Sequence, residues 1–181
     1  MIANDTFFDK LSFFSMAKFL LSATTPGEDT MTETKGPREE GGLVPGHCYA
    51  VLQAIEVYQG PNGRYTDFKW DDDSELVHKL MNIRNPWGNF EWQGDWGDSS
   101  SMWTDAMKEG LKPVFGDDGA FYMAYSDFLN HFNSVQVCLS PNGGDYKMDI
   151  FKTKITTKLT YSGSVPKSAH IYKYKIDHSM S

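Results

Sequence analysis

The order of apolar and polar positions along the 181-residue chain predicts strands joined by a few helices. The first 23 residues carry Phe and Leu at intervals that favour an amphipathic helix, packed through its apolar face. This segment is interrupted by four charged residues, Asp5, Asp9, Lys10 and Lys18. It therefore lacks the basic start and unbroken apolar centre of a secretory signal peptide. Residues 24–42 are rich in Gly, Pro, Thr and charge, which is typical of a surface loop.

Two apolar segments in the middle of the chain predict neighbouring strands. Residues 47–58 have no helical stripe, and neither of their alternating sets is polar, which predicts a strand buried on both faces. Residues 60–75 contain a Pro-Asn-Gly turn signal. Residues 76–88 hold the second predicted strand, which stops at Pro86 because the residue before a proline is biased towards an extended backbone.

The second half of the chain adds further strands and a short helix. Phe121–Tyr125 is predicted as a strand that runs into a helix capped by Ser126 or Asp127. Residues 134–139 form another predicted strand. The tryptophan-rich segment 90–111 shows few regular patterns, so no element is predicted there.

These elements together predict an α+β fold, with antiparallel β-sheets and a few peripheral helices. Residues 1–140 are expected to form one domain, followed by a C-terminal extension over 141–181. That extension alternates weakly and is rich in lysine, which leaves an added hairpin and a poorly ordered tail as open alternatives.

Composition narrows the possible functions. Hydrophobic residues make up 40% of the chain, as in globular rather than disordered proteins. The net charge of −7 argues against nucleic acid or an anionic membrane as partner, because both need basic patches. No apolar run is long enough to cross a bilayer, and the five histidines show no zinc-ligand spacing. Two cysteines without a CxxC motif predict a reduced, cytoplasmic setting.

Two residues at predicted strand ends form a candidate catalytic pair. His47 begins the first central strand directly after Gly46, and Asn85 ends the second directly before Pro86. Neighbouring antiparallel strands place the start of one beside the end of the other, so these side chains are expected to meet. In a cysteine protease of the papain type, His takes the thiol proton while Asn accepts a hydrogen bond from the other ring nitrogen. Trp87 would shelter that bond from water.

Cys48 is adjacent to this histidine but is not expected to be the nucleophile. Successive side chains of a strand point to opposite faces, so a His47 that faces the cleft leaves Cys48 facing into the fold. A thiolate nucleophile must also lie within about 3–4 Å of the imidazole. Cys48 is therefore predicted to be a small buried hydrophobe, and Cys138 a buried strand residue.

The motifs around this pair resemble the second half of the calpain protease core. The stretches "GLVPGHCYAVLQAIEV", "LMNIRNPWGNFEWQGDWGDSSSMW" and "DDGAFYMAYSDFLNHFNSVQVC" follow the family's order and spacing. The family carries Gly-His-Ala-Tyr, Arg-Asn-Pro-Trp-Gly with Glu-Trp-x-Gly-x-Trp, and Asp-Gly-Glu-Phe-Trp-Met-Ser-Phe-x-Asp-Phe. The resemblance is strong over residues 43–138 and fades after 139. It implies that His47 is the general base, that Asn85 orients it, and that Trp87 lines the site.

The resemblance also implies a nucleophile that these 181 residues do not contain. In the family, the catalytic cysteine belongs to the other half of the core, in a Gly-Asp-Cys-Trp motif at a helix N-terminus, and this sequence has no such motif. Cys48 stands at the family's alanine position. The expected partners are therefore a protein or peptide substrate and the Cys-bearing half, in cis or in trans. The isolated chain is expected to be inactive and to expose an apolar face towards that half.

Calcium is the cofactor that the resemblance implies, because calpain cores have a calcium site in this half. The matching carboxylates here are Glu91, Asp98 and Asp118, with a backbone oxygen near Gly116. Calcium takes six to eight oxygen ligands, and the family's last carboxylate falls on Ala120, so one ligand is lost. Solvated acidic loops are the open alternative, and the acidic run 71–73 matches no motif and is predicted to be a solvated turn.

Two functions are compatible with these features. The first is the His/Asn half of a calpain-type cysteine endopeptidase, calcium-dependent in the family, which the retention of His47 and Asn85 favours. The second is a non-catalytic pseudoprotease that binds a partner or a peptide, which the loss of a carboxylate at Ala120 favours. The candidate binding surface of such a module is aromatic and consists of Trp87, Trp92, Trp96 and Trp103. Tryptophans at such spacing are also typical of a core.

Overall fold

The computed structural model describes residues 2–28, 41–139 and 170–175, and these ranges contain three helices and seven strands. In chain order the elements are α1 (Ile2–Met16), β1 (Leu20–Thr24), β2 (Cys48–Gln59), β3 (Tyr65–Thr66), β4 (Glu75–Arg84), α2 (Asp105–Leu111), β5 (Ala120–Ala124), α3 (Tyr125–His131), β6 (Ser134–Leu139) and β7 (His170–Lys175). Within the described ranges, every helix is too short or too polar to cross a membrane.

All seven strands belong to one antiparallel sheet, which confirms the predicted α+β class. The sheet has the order β5-β4-β2-β1-β6-β7, and the short β3 pairs with the far end of β2. The two predicted central strands, β2 and β4, pair along most of their length, with Val51 opposite Ile83. The predicted strand at 134–139 is present as β6, and β7 pairs with it. The rest of the predicted extension lies outside the described residues.

The N-terminal helix is shorter than the sequence pattern indicates. We expected a helix over residues 1–23, but α1 ends at Met16, Lys18 takes a left-handed φ of 61°, and β1 begins at Leu20. The strand forms because β2 and β6 lie on either side of it and pair with its backbone. Tertiary pairing therefore overrides the local helical pattern. Most of the predicted loop over 24–42 lies outside the described residues.

The prediction that β2 is buried on both faces is wrong for the first part of the strand, residues 48–53. Tyr49 and Val51 are buried, whereas Cys48, Leu52 and Gln53 are exposed. A register shift between residues 51 and 53 inserts a β-bulge, which turns the following side chains by one position. The bulge lets β2 contribute to a different core cluster on each side of the sheet.

Two shorter elements also differ from the sequence pattern. Helix α3 begins at Tyr125, and its N-cap Ala124 lies two residues before the nearer predicted cap, Ser126, and makes no side-chain capping bond. Ala124 is held instead by its pairing with Leu80 on β4, so the strand and not a cap sets where this helix starts. Helix α2 was not predicted, although Thr104 caps it by accepting the N–H of Met107.

Hydrophobic burial joins the helices to the sheet in two clusters. The larger cluster packs Phe8 and Leu11 of α1 against Tyr49 and other sheet residues, with Phe128 of α3. The smaller cluster covers the other face at the far end of β2 and contains Ile55, Val57, Leu80, Trp96, Trp103 and Met107.

The tryptophan-rich segment is mainly core. Trp92, Trp96 and Trp103 are only 7%, 3% and 4% exposed. The candidate aromatic binding surface therefore keeps just the half-buried Trp87 of its four members.

The exposed apolar side chains, a group of which was expected to face another protease half, come from several elements. In the described ranges, ten large hydrophobic side chains are exposed, among them Phe13 and Met16 on α1, Leu20 on β1, and Phe68 and Trp70 after β3. Which of them would meet another protease half stays a prediction.

The acidic run 71–73 does form a turn, closed by the Ser74 hydroxyl donating to Oδ1 of Asp71.

We expect Phe8→Ala to lower the free energy of unfolding by about 3–5 kcal/mol, because the ring is fully buried between α1 and the sheet. Phe13→Ala is the matched control on the same helix, where the ring is 59% exposed, and should change stability by less than about 0.5 kcal/mol. Urea denaturation followed by tryptophan fluorescence measures both. Equal effects of the two variants would contradict the packing of α1 described above.

Candidate active site

The end of β1 holds the backbone on either side of His47. The Thr25 N–H donates to the His47 carbonyl at 3.0 Å, and the Thr25 hydroxyl oxygen accepts the His47 N–H at 2.9 Å. The same hydroxyl donates to the carbonyl of Val44 at 2.7 Å. Sequence reasoning placed Thr25 in a surface loop and missed this role, but the residue is 1% exposed. No local sequence signal distinguishes it, because its partners come from a turn some twenty residues away.

The turn before β2 needs the glycine next to the histidine. Gly46 has a φ of +63°, in the left-handed region that L side chains rarely adopt, and its N–H donates to the Pro26 carbonyl at 2.8 Å. Tyr49 supports the same turn, because its hydroxyl accepts the Val44 N–H at 2.8 Å and its ring lies 5.0 Å from the imidazole. His47 thus enters β2 with its backbone and ring both in contact with the core.

The predicted contact between His47 and Asn85 is present. Nε2 of His47 lies 2.9 Å from Oδ1 of Asn85, and Asn85 is fully buried. Oδ1 also accepts the Trp87 N–H at 3.1 Å, and Nδ2 donates to the carbonyl of Phe90 at 3.4 Å. These two bonds orient the amide, so the atom facing the imidazole is an acceptor. Nε2 must then carry the hydrogen, which leaves the lone pair of a neutral imidazole on Nδ1.

Two glycines, Gly119 and Gly88, hydrogen-bond to the backbone of Asn85. The Asn85 N–H donates to the Gly119 carbonyl at 2.8 Å, and the Asn85 carbonyl accepts the Gly88 N–H at 3.0 Å. Gly119 has a φ of +84°, and a Cβ there would lie 2.6 Å from the Asn85 carbonyl oxygen. Only glycine fits this close approach. Sequence reasoning missed Gly119, although its Asp-Gly dipeptide is a recognised turn signal.

Trp87 covers the histidine–asparagine contact, in the place predicted for it. Its ring centroid lies 4.2 Å from that of His47 at an interplanar angle of 41°. With Tyr49 on another side of the ring, His47 is only 6% exposed. A hydrogen bond in such a low-dielectric setting is stronger than one open to water.

The prediction that Cys48 is buried is wrong, because its side chain is exposed. The alternation along the strand is as expected, but His47 and Tyr49 take the inward positions and Cys48 the outward one. No hydrogen bond joins the Cys48 thiol to the imidazole in the part of the chain that the structure describes. Cys138 is half-buried rather than buried.

The three carboxylates matched to a calcium site accept hydrogen bonds from one backbone loop. Oε1 of Glu91 accepts the N–H groups of Asp118 and Gly119, at 3.2 and 2.8 Å. Oδ2 of Asp98 accepts the Gly116 N–H at 2.9 Å, and Oδ1 of Asp118 accepts the Ala120 N–H at 2.9 Å. Burial raises the pKa of Glu91 and of Asp98, and the backbone N–H groups of Gly119 and Gly116 oppose this rise. The charge of Asp98 raises the pKa of Glu91 further, and that of Asp118 raises the pKa of Asp98 further.

This arrangement does not fit a calcium ion as it stands. Calcium needs six to eight oxygens, yet one oxygen of each of these carboxylates already accepts backbone N–H groups and Ala120 supplies no carboxylate. Among the residues that the structure describes, no three His, Cys, Asp or Glu side chains converge as metal ligands. Oδ1 of Asp98 is buried and accepts no hydrogen bond from the described ranges.

Comparison with known proteins gives the family. A sequence profile described as calpain family cysteine protease matches residues 2–139. The chain belongs to the calpain family. The resemblance predicted from the His47 and Asn85 motifs is thereby confirmed at the level of the family.

Calpain relatives extend this match across most of the chain. The calpain-type cysteine protease DEK1 of Arabidopsis thaliana is 39% identical over 140 residues, which is 76% of this chain and 5% of that protein. Calpain-12 of Mus musculus is 29% identical over 170 residues, covering 88% of this chain and 22% of its own length. Calpain-8 of Mus musculus is 40% identical over 103 residues, covering 55% and 13%. The chain thus spans a small part of each relative.

In this calpain-family chain, we expect Cys48 to react as an ordinary exposed thiol. With Cys138→Ser in the background, His47→Ala should change the rate of Cys48 alkylation by iodoacetamide by less than about twofold, because the imidazole makes no hydrogen bond to the thiol in the described residues. Mass spectrometry of the modified peptide measures the rate. A fall of about tenfold or more in the His47→Ala variant would instead make Cys48 the partner of the imidazole.

Proposed function

We propose that this chain is the His/Asn half of a calpain-type cysteine endopeptidase site, whose nucleophile comes from residues outside this sequence. The observation that carries the proposal is the 2.9 Å contact between Nε2 of His47 and Oδ1 of Asn85. Each residue lies in a motif typical of the family, Gly-His-x-Tyr and Arg-Asn-Pro-Trp-Gly. The buried amide of Asn85, whose oxygen and nitrogen both make hydrogen bonds, supports an orienting role for it.

In the proposed mechanism, Nδ1 of His47 receives the proton of the incoming thiol. The thiolate then attacks the carbonyl carbon of the peptide bond, and the C–N bond breaks as the imidazolium gives its proton to the leaving amine nitrogen. Water, deprotonated by the imidazole, hydrolyses the resulting thioester and so releases the carboxylic acid and restores the thiol. Throughout these steps Oδ1 of Asn85 holds the Nε2–H and keeps Nδ1 directed at the cleft. Trp87, 4.2 Å from the ring, excludes water and offers its π-face to the transient imidazolium.

The partners in this proposal follow from the same chemistry. The substrate is a protein or peptide, and the Cys-bearing half acts in cis or in trans. A reduced, cytoplasmic setting agrees with two cysteines that are both free, Cys48 and Cys138. No step of the proposed reaction is routed through calcium, and one oxygen of each carboxylate at residues 91, 98 and 118 bonds to a backbone amide.

A non-catalytic binding module is the second candidate. Ala120 in place of a family carboxylate favours it, as a sign of relaxed function at a site near the catalytic pair. It predicts that His47→Ala leaves binding to the partner unchanged. The retained contact of His47 with Asn85 favours the protease, since a binding module has no need of an oriented imidazole.

The proposal is tested by supplying the missing half. The chain is mixed with, and in a second arm fused to, the Gly-Asp-Cys-Trp segment of a calpain relative, and hydrolysis of a fluorogenic peptide is measured. We expect no turnover by the chain alone and turnover by the complemented pair. His47→Ala should reduce that turnover on the order of 10²-fold to 10⁴-fold, because a general base is lost.

Asn85→Ala should lower kcat through loss of the orienting bond, whereas the matched control Asn62→Ala should not, because Asn62 lies in an exposed turn. The relative's own two halves serve as the positive control for complementation. If they hydrolyse the peptide while the complemented chain does not, the endopeptidase proposal fails and the binding module is favoured. Labelling of Cys48 by a thiol-directed epoxide with turnover by the isolated chain would contradict the missing nucleophile.

A further inference from the structure

Glu91 lies outside the catalytic pair but bonds to the turn that holds it. A single oxygen, Oε1, accepts the N–H of Gly119 at 2.8 Å and that of Asp118 at 3.2 Å. Hydrogen bonds to an ionised carboxylate are stronger than those between neutral groups. The turn is therefore tied to Glu91 by two bonds that converge on one atom.

The same turn touches Asn85 directly. The carbonyl of Gly119 accepts the Asn85 N–H at 2.8 Å, and a Cβ on Gly119 would lie 2.6 Å from the Asn85 oxygen. This close packing means that a shift of the turn must move Asn85 as well. The second anchor of Asn85 is the carbonyl of Phe90, the residue covalently next to Glu91. The Gly119 turn, which supports the Asn85 backbone, is thus tied to Glu91, whereas the side-chain amide is held by the Phe90 carbonyl beside Glu91 and by the Trp87 N–H.

We propose that Glu91 is a positioning residue, whose carboxylate oxygen holds the Asp118–Gly119 turn against Asn85 and so keeps the amide in contact with His47. The catalytic meaning of this role rests on the proposed function, whereas the structural coupling does not. The bonds are direct, so the coupling needs no cation between Glu91 and the turn. Because both bonds end on one oxygen, a neutral amide at this position can replace the carboxylate.

Truncation of Glu91 should leave the chain folded. Its side chain borders a cavity of about 320 Å³ lined by Asn89, Phe90, Gln93 and Asp117. Water can enter the space that a shorter side chain leaves. Asp117 lines the same cavity, is exposed, and carries the same charge, which makes it the matched control.

The test uses the full chain labelled with ¹⁵N-histidine and long-range ¹H–¹⁵N spectra that identify the tautomer of the His47 ring. In the calcium-free wild type, we expect the hydrogen on Nε2. Glu91→Ala should lower the ratio of the Nε2–H to the Nδ1–H tautomer roughly fivefold, the effect of weakening one hydrogen bond. Glu91→Gln should retain the wild-type ratio, and Asp117→Ala should retain it too.

Several results would contradict the proposed role of Glu91. The proposal is overturned if Glu91→Ala keeps the wild-type tautomer ratio. It is also overturned if the ratio falls in Glu91→Gln, or in Asp117→Ala, as far as it falls in Glu91→Ala. A wild-type signature that appears only when calcium is added would overturn it too. If Glu91→Ala does not fold, Glu91→Asp serves instead, because it keeps the charge but withdraws the oxygen, and it should shift the ratio in the same direction.

Failure of the proposed function is distinguishable from failure of this inference. The tautomer is read in the isolated chain and needs no nucleophile, substrate or turnover. A complemented enzyme without activity would leave the Glu91 coupling measurable. A wild-type chain whose imidazole carries its hydrogen on Nδ1 would contradict the His47–Asn85 pair itself.

Discussion

The antiparallel pairing of β2 with β4 is the constraint on which the site depends. His47 precedes the first residue of β2, and Asn85 follows the last residue of β4. The antiparallel pairing therefore brings the two side chains together at one end of these strands. A slip of one residue would turn every side chain of a strand to the opposite face. Val51 and Ile83 lie opposite each other in the core, so their burial enforces the register that the hydrogen-bonded ladder alone does not specify.

Burial of the Asn85 amide makes the site specific as well as stable. A buried polar group without partners costs roughly 1–3 kcal/mol, so this amide is tolerated only where each side of it is satisfied. His47, the Trp87 N–H and the Phe90 carbonyl meet that need, and the Gly119 turn fixes the backbone. Because these partners come from three segments, the turn before β2, the loop after β4 and the turn before β5, the site depends on how those three segments pack together.

The acidic loops show how one residue type serves different chemistry in one scaffold. A carboxylate can ligate a cation or accept backbone N–H groups, and the two uses compete for the same lone pairs. At Glu91 and Asp98 the backbone N–H groups of residues 116, 118 and 119 occupy one oxygen of each side chain. The family motif identifies these positions, but the neighbouring loop decides what their oxygens contact.

The sequence by itself determined the family, the central strand pair and the contact of His47 with Asn85, because these depend on local motifs and on the rule that antiparallel strand ends meet. It did not determine that β1 is a strand or that Cys48 is exposed. Backbone pairing with β2 and β6 makes β1 a strand, and contact with Tyr49 and Trp87 turns the imidazole inward. Both outcomes depend on residues distant in the chain, which only the tertiary structure brings together.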